Sequence, residues 1–167
     1  MAVTVAKFTA MLEAHGSDCI YHREMPGTPC PCRTREGNRD PEWHIDNPAA
    51  EVCNEVGMIP AVEQFGVKGA MQPVSAGGVR RSRSSERYAG LFPGEIQADD
   101  HIGIFPVTWQ GHTLQFEDFS DTGDSYVLYD GRRFVVIAAD KLPDLDGDPD
   151  HHWELGMRLV RTDRVNA

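Results

Sequence analysis

Tyr126-Val127-Leu128-Tyr129-Asp130-Gly131-Arg132-Arg133-Phe134-Val135-Val136-Ile137 is the stretch whose reading decides the fold. Two runs rich in β-branched and aromatic residues flank a single Asp-Gly pair. A two-residue hairpin loop needs positive φ at both central positions, and Asp and Gly reach that conformation at low cost. The arms suit a pleated surface packed on one side. The stretch therefore predicts an antiparallel hairpin.

Working outward, His152–Arg161 alternates, with Trp153, Leu155, Met157 and Leu159 on one face and His152, Glu154, Arg158 and Val160 on the other. Between hairpin and strand, Asp144–Asp150 reads as an acidic turn; it lacks the bidentate Glu and helical flanks of a calcium loop. Upstream, Ile102–Phe105 and Thr113–Phe119 are short apolar or alternating runs, and Glu63–Val74 supplies one long or bent strand through Phe65, Val67, Met71 and Val74. Asp18–Arg23 reads as a further strand. At the start, Val5, Phe8, Met11 and Leu12 recur at helical spacing, with Thr4 as N-cap and Gly16 as stop, which predicts a short helix over 4–15. Short strands separated by turn residues predict a mostly-β chain. The expected architecture is a single domain over 1–167, a small antiparallel β-barrel or sandwich spanning 63–164 behind the N-terminal helix.

Composition narrows the function classes. A chain of 167 residues with 40% hydrophobic content can bury a real core. No apolar run reaches the roughly 18–20 residues of a membrane span. Met1–Ala14 carries no apolar block followed by a small-residue cleavage site, so the expected compartment is the cytoplasm in which the chain is made. The formal net charge of −10 argues against wrapping nucleic acid, because phosphate binding draws on Lys and Arg. One basic segment stands apart: Arg80, Arg81, Arg83 and Arg87 lie in a Ser/Gly-rich stretch that reads as an exposed loop over 75–87. That loop is a candidate contact with DNA phosphate or with acidic faces of neighbouring subunits; a plain charged surface loop is the simpler reading. No Gly-x-Ser-x-Gly elbow, phosphate-binding glycine loop or dinucleotide fingerprint is present, and no nucleophile has a base at supporting spacing. The expectation is a protein that is not an enzyme.

The cysteines carry the one chemical signal. Pro26–Pro60 is rich in proline and glycine, has no hydrophobic period, and contains Cys30, Cys32 and Cys53; Cys19 lies just before it and His44 within it. A structureless loop of this length needs something to hold it. Four thiolates, or three and an imidazole, are the donor set of a closed structural zinc site. The expected ligands are Cys30, Cys32 and Cys53, with either Cys19 or His44 as the fourth. Buried free thiols are a second reading, and disulfides a third, disfavoured in a reducing compartment and for the closely spaced Cys30 and Cys32.

The ordered features resemble a family. Lys68-Gly69-Ala70-Met71-Gln72-Pro73-Val74 is similar to the strand leading into the large loop of the head-to-tail stopper (head-closure) proteins of siphophages. Gly94 to Phe105 resembles their turn-and-strand; Asp118 and Ser120, the hairpin at Asp130–Val136 and the last strand at Trp153–Arg161 follow their cadence. The loop from Cys30-Pro31-Cys32 through Trp43-His44 to Cys53-Asn54-Glu55 resembles versions from phages of actinobacteria. The resemblance implies a virion protein of the phage neck, assembled in the host cytoplasm as a ring of its own copies. That ring would sit below the portal adaptor, close the channel on packaged double-stranded DNA, and offer a platform to tail terminator and tail tube proteins. It implies no catalytic residues and no membrane. The nearest rival is a tail terminator or tail-completion protein. A different class, a zinc-stabilised barrel binding single-stranded nucleic acid, would need aromatic residues along a basic groove, for which Tyr88 beside the arginines is the local hint.

Overall fold

A computed structural model describes residues 5–74, 91–92, 96–117, 119, 125–142 and 152–160. The basic segment with Arg80, Arg81, Arg83 and Arg87, the acidic turn Asp144–Asp150, and Thr4, Tyr88, Asp118 and Ser120 lie outside the described residues. In chain order the elements are α1 (Val5–His15), β1 (Ser17–Pro29), α2 (Pro41–Asp46), β2 (Met58–Pro73), β3 (His101–Pro106), β4 (Thr108–Trp109), β5 (His112–Thr113), β6 (Tyr126–Tyr129), β7 (Arg132–Leu142) and β8 (His152–Leu159). Six of these strands close into a barrel in the order β1-β2-β3-β8-β7-β6. The chain divides into two units, Met1–His22 with Gln64–Ala167, and Arg23–Glu63. Among the described residues no helix is long and apolar enough to cross a membrane.

The Asp-Gly hairpin forms as the sequence dictates. Asp130 and Gly131 both take positive φ, 49° and 69°, and Val127 pairs with Phe134 across the turn. β6 then pairs with β1, placing Tyr21 opposite Val127, and β7 pairs with β8, placing Val136 opposite Met157. The register shifts between Val136 and Ala138, so Ile137 is an extra residue in the ladder. Such a bulge changes which face successive side chains take, and β7 runs on to Leu142 with Lys141 over the Trp153 ring.

The run Thr113–Phe119, read as strand-like, differs from that expectation: only His112–Thr113 is strand, paired with Thr108–Trp109 around a second positive-φ turn at Gln110-Gly111. The apolar alternation of Leu114 and Phe116 has another cause. Both are buried, at 0% and 1% exposure, on the irregular connection between β3 and β6. Phe116 lies 5.4 Å from the ring of Tyr21, 5.6 Å from Phe105 and 5.7 Å from Trp153, each between ring centroids. Carbonyls of this connection that lie against the core need donors. Trp153 Nε1 donates to the Leu114 carbonyl (3.1 Å) and Tyr21 Oη to that of Gln115 (2.9 Å). Beneath the Phe105 ring the strands carry Gly69 and Gly103, where a Cβ would collide with that ring.

Outside the barrel wall, Val74, Leu91, Phe92 and Ile102 form a second cluster with Ile96, Ile104, Ile137 and Ala138. β8 is therefore covered on both faces, which is why Glu154, on its polar-looking side, is only 5% exposed. Asp100 pins this layer. It is fully buried and receives both Nε and Nη2 of Arg158, each at 2.9 Å, and the Gln97 backbone N–H at 2.8 Å. The hydrogen bond to Asp100 is the main cause that raises the Arg158 pKa. Asp100 is the buried member of this bidentate pair and Arg158 is partly exposed, so removing Arg158 leaves a buried carboxylate without compensation. Arg158→Ala is expected to lower unfolding free energy by about 2–4 kcal/mol, read from the urea midpoint at unchanged slope; a loss below about 0.5 kcal/mol, the ordinary surface value, would show that the pair does not anchor the layer.

Candidate metal centre

The unit Arg23–Glu63 contains the outer ends of β1 and β2 and the connection between them. Both strands are longer than the sequence pattern suggested, since β1 continues through Pro26 and Pro29 and β2 begins at Met58. Proline is admitted where a strand N–H faces no partner, as at the edge of a two-stranded ribbon. Arg23 Nη1 reaches Glu63 Oε2 across this ribbon at 3.8 Å. A lone two-stranded ribbon is marginal in water, so the unit's stability must come from elsewhere.

Its buried cluster consists of Cys30, Cys32 and Cys53, each 3% exposed, with Trp43 and Ile59 packed against them. Three local devices bring the thiols together. Cys30-Pro31-Cys32 turns sharply, with Arg33 N donating to Cys30 O at 2.9 Å. Asn54–Gly57 makes a second turn after Cys53, closed by Gly57 N to Asn54 O at 3.0 Å and admitted by a φ of 67° at Gly57. The two turns are tied by Cys30 N donating to Gly57 O at 2.9 Å. The third device is α2. Asp40 caps it by accepting from Glu42 N and Trp43 N, Pro41 opens it, and Asn47 closes it onto the Trp43 carbonyl. One turn of helix then points His44 at the thiols. The signal for this helix, Asp40-Pro41-Glu42, is a helix-start pattern in the sequence, but six residues are too few to show an apolar period.

The result is a compact donor set. Sγ of Cys30, Cys32 and Cys53 and one ring nitrogen of His44 lie within 4.8 Å of one another. His44 Nε2 is 3.2 Å from Cys53 Sγ and 3.6 Å from Cys30 Sγ, and the Cys32 and Cys53 sulfurs are 3.3 Å apart. Bond lengths of about 2.3 Å to sulfur and 2.0–2.1 Å to nitrogen place tetrahedral ligand atoms roughly 3.5–3.8 Å apart. The set supplies four donors, the number a tetrahedral ion takes, at separations near that range. None of the cysteines is bridged.

Of the two candidates for the fourth position, the cluster contains His44. Cys19 sits in the barrel core with Tyr21, Val127 and Phe134. Burial, followed by the negative charge of Asp18, pushes its thiol up to about 12, so it stays protonated where a ligand must be a thiolate. The residues the sequence did not single out are Asp100 and Arg158; an Asp-Asp pair before a strand gives no sign of which carboxylate turns inward.

No protein-family model, no curated protein and no solved structure matches the chain. The geometry is tested directly by titrating the reduced protein with Co2+. Saturation at one equivalent with a thiolate-to-cobalt charge-transfer band is expected. His44→Ala and Cys53→Ser should each weaken binding at least about tenfold, because they remove a ligand where even supporting residues cost that much, and Cys19→Ala should leave it unchanged. Loss of the band in Cys19→Ala alone would reverse the ligand assignment.

Proposed function

We propose that this chain is a structural protein of a long-tailed phage neck, a head-to-tail stopper, and that its Cys/His centre holds a structural zinc ion. The observation that carries the reading is the order of parts: an N-terminal helix, a strand, an inserted unit, then a closed barrel of six strands. That order is the one the resembled stopper proteins follow. Closure pairs each of the six barrel strands with two neighbours, which suits a body that must hold its shape in a ring of copies. A net charge of −10 repels phosphate and suits a lumen through which double-stranded DNA slides. Zinc is favoured at the centre because thiolates select soft ions over calcium or magnesium, and a closed four-donor set is structural. On this reading the protein performs no chemistry. It works in the virion by docking to its own copies, to the portal adaptor and to tail proteins.

The single-stranded nucleic-acid reading finds little support on the barrel. Tyr126 is the aromatic side chain placed outward on β6, and His22 stacks on it at 4.2 Å while the Arg133 guanidinium lies 4.0 Å from its centroid. Both groups take up space that a stacking base would need at this ring.

Purified chain mixed with portal–adaptor complexes is expected to add a ring of density below the adaptor in electron micrographs, and particles assembled without it should lose packaged DNA. Binding to tail-tube ends but not to the portal adaptor would make it a tail terminator instead. Binding to neither would end the neck reading.

A further inference from the structure

We propose that Cys32 and Cys53 form an oxidative modification site, in which a peroxide or a small-molecule disulfide converts the two metal-bound thiolates into an intramolecular disulfide and releases the ion. The inference rests on the metal reading of the same centre and adds to it a second covalent state. Three observations select this pair. The two sulfurs are 3.3 Å apart, both buried, and 21 residues apart in sequence. The contact of the Cys30 sulfur is with His44 Nε2 at 3.6 Å and not with another sulfur, although that nitrogen also lies 3.2 Å from Cys53 Sγ. Cys30 and Cys32 are separated by Pro31 alone, a spacing that strains any bridge between them.

The step balances as follows. One thiolate attacks a peroxide oxygen, the O–O bond breaks, hydroxide leaves, and a sulfenic acid forms. The second thiolate attacks that sulfur, the S–S bond forms and a second hydroxide leaves. Two electrons pass from the two sulfurs to the peroxide, and the hydroxides take two protons from solvent to become water. With a disulfide oxidant, exchange through a mixed disulfide delivers the same two electrons and releases two thiols. A disulfide sulfur carries no anionic charge to hold the cation, so Cys30 and His44 are left as its only donors and the ion departs. The new bond spans the connection that includes α2 and restrains the same turns that the ion held together. His44, unlike the three thiols, is partly exposed, so the donor shell has an open side for a small oxidant. Cys19, buried in the barrel core, serves as an internal control.

The full chain, loaded with zinc under reducing conditions and then exposed to hydrogen peroxide, tests this. A chromogenic chelator reports the released ion, and alkylation with non-reducing peptide mapping reports the bond. The expected result is one equivalent of zinc released with loss of two thiols, a Cys32–Cys53 peptide pair, and reversal by dithiothreitol with added zinc. Cys30→Ser should still form the pair, and Cys32→Ser should not. A Cys30–Cys32 or Cys30–Cys53 bridge, crosslinks between chains, or zinc release with no bridge would each overturn the proposal while leaving the metal reading intact. A chain that binds no zinc at all removes the metal reading and, with it, the linked release proposed here.

Discussion

A closed barrel of six strands needs its interior filled, and here the filling comes partly from a segment that is not a strand. Phe116 sits on the irregular connection between β3 and β6, yet packs against rings contributed by β1, β3 and β8. Bringing a segment that is not a strand against the core is costly unless its polar groups are paired. That condition fixes the identities of the walls: the indole of Trp153 and the phenol of Tyr21 are the side chains that both fill space and supply an N–H or O–H to the carbonyls of this connection. The wall makes room through Gly69 and Gly103, which let the Phe105 ring lie flat against the strands. Plug, donors and glycines are one arrangement.

The unit Arg23–Glu63 is held on a different principle. Its larger apolar side chains are turned outward, with Ile45 76% exposed, Val52 77% and Val56 53%. What remains inside is three sulfurs with Trp43 and Ile59. Fully burying an apolar side chain yields about 1.5–3 kcal/mol, while ordering each loop residue costs about 1–2 kcal/mol, so two such side chains cannot order the connection. Structural zinc in small peptides supplies on the order of 10–16 kcal/mol. The donor spacing is the physical case for a metal site at the centre.

The same division decides how much could be read from the sequence. The hairpin at Asp130-Gly131 was legible because turn chemistry is local, and β8 because Trp153, Leu155 and Met157 alternate. The three clustered cysteines were legible as a candidate donor set because they share a Pro/Gly-rich stretch that has no hydrophobic period to hold it. The choice between Cys19 and His44 was not, since it depends on where β1 points Cys19: one step from Tyr21 in the period-two alternation, hence inward. Leu114 and Phe116 misled for the converse reason, because alternation reports burial on one side and not the backbone that achieves it. Asp100 was hidden because its partner Arg158 is 58 residues away.

The placement of the Cys/His unit has its own logic. β1 and β2 are neighbours in the barrel whatever joins them. Lengthening a connection between paired strands costs only about 0.6 kcal/mol per doubling, so an insertion there leaves barrel closure nearly untouched, provided the insertion supplies its own stability. A core of apolar side chains would need many residues to do so; a cluster of four ligands needs only two turns and one short helix. In the ring assembly proposed above this separation would matter. Contacts between copies would be carried by the strand-built barrel, while the connection between β1 and β2 would take the form a particular neighbour requires, with the proposed ion holding that form in place.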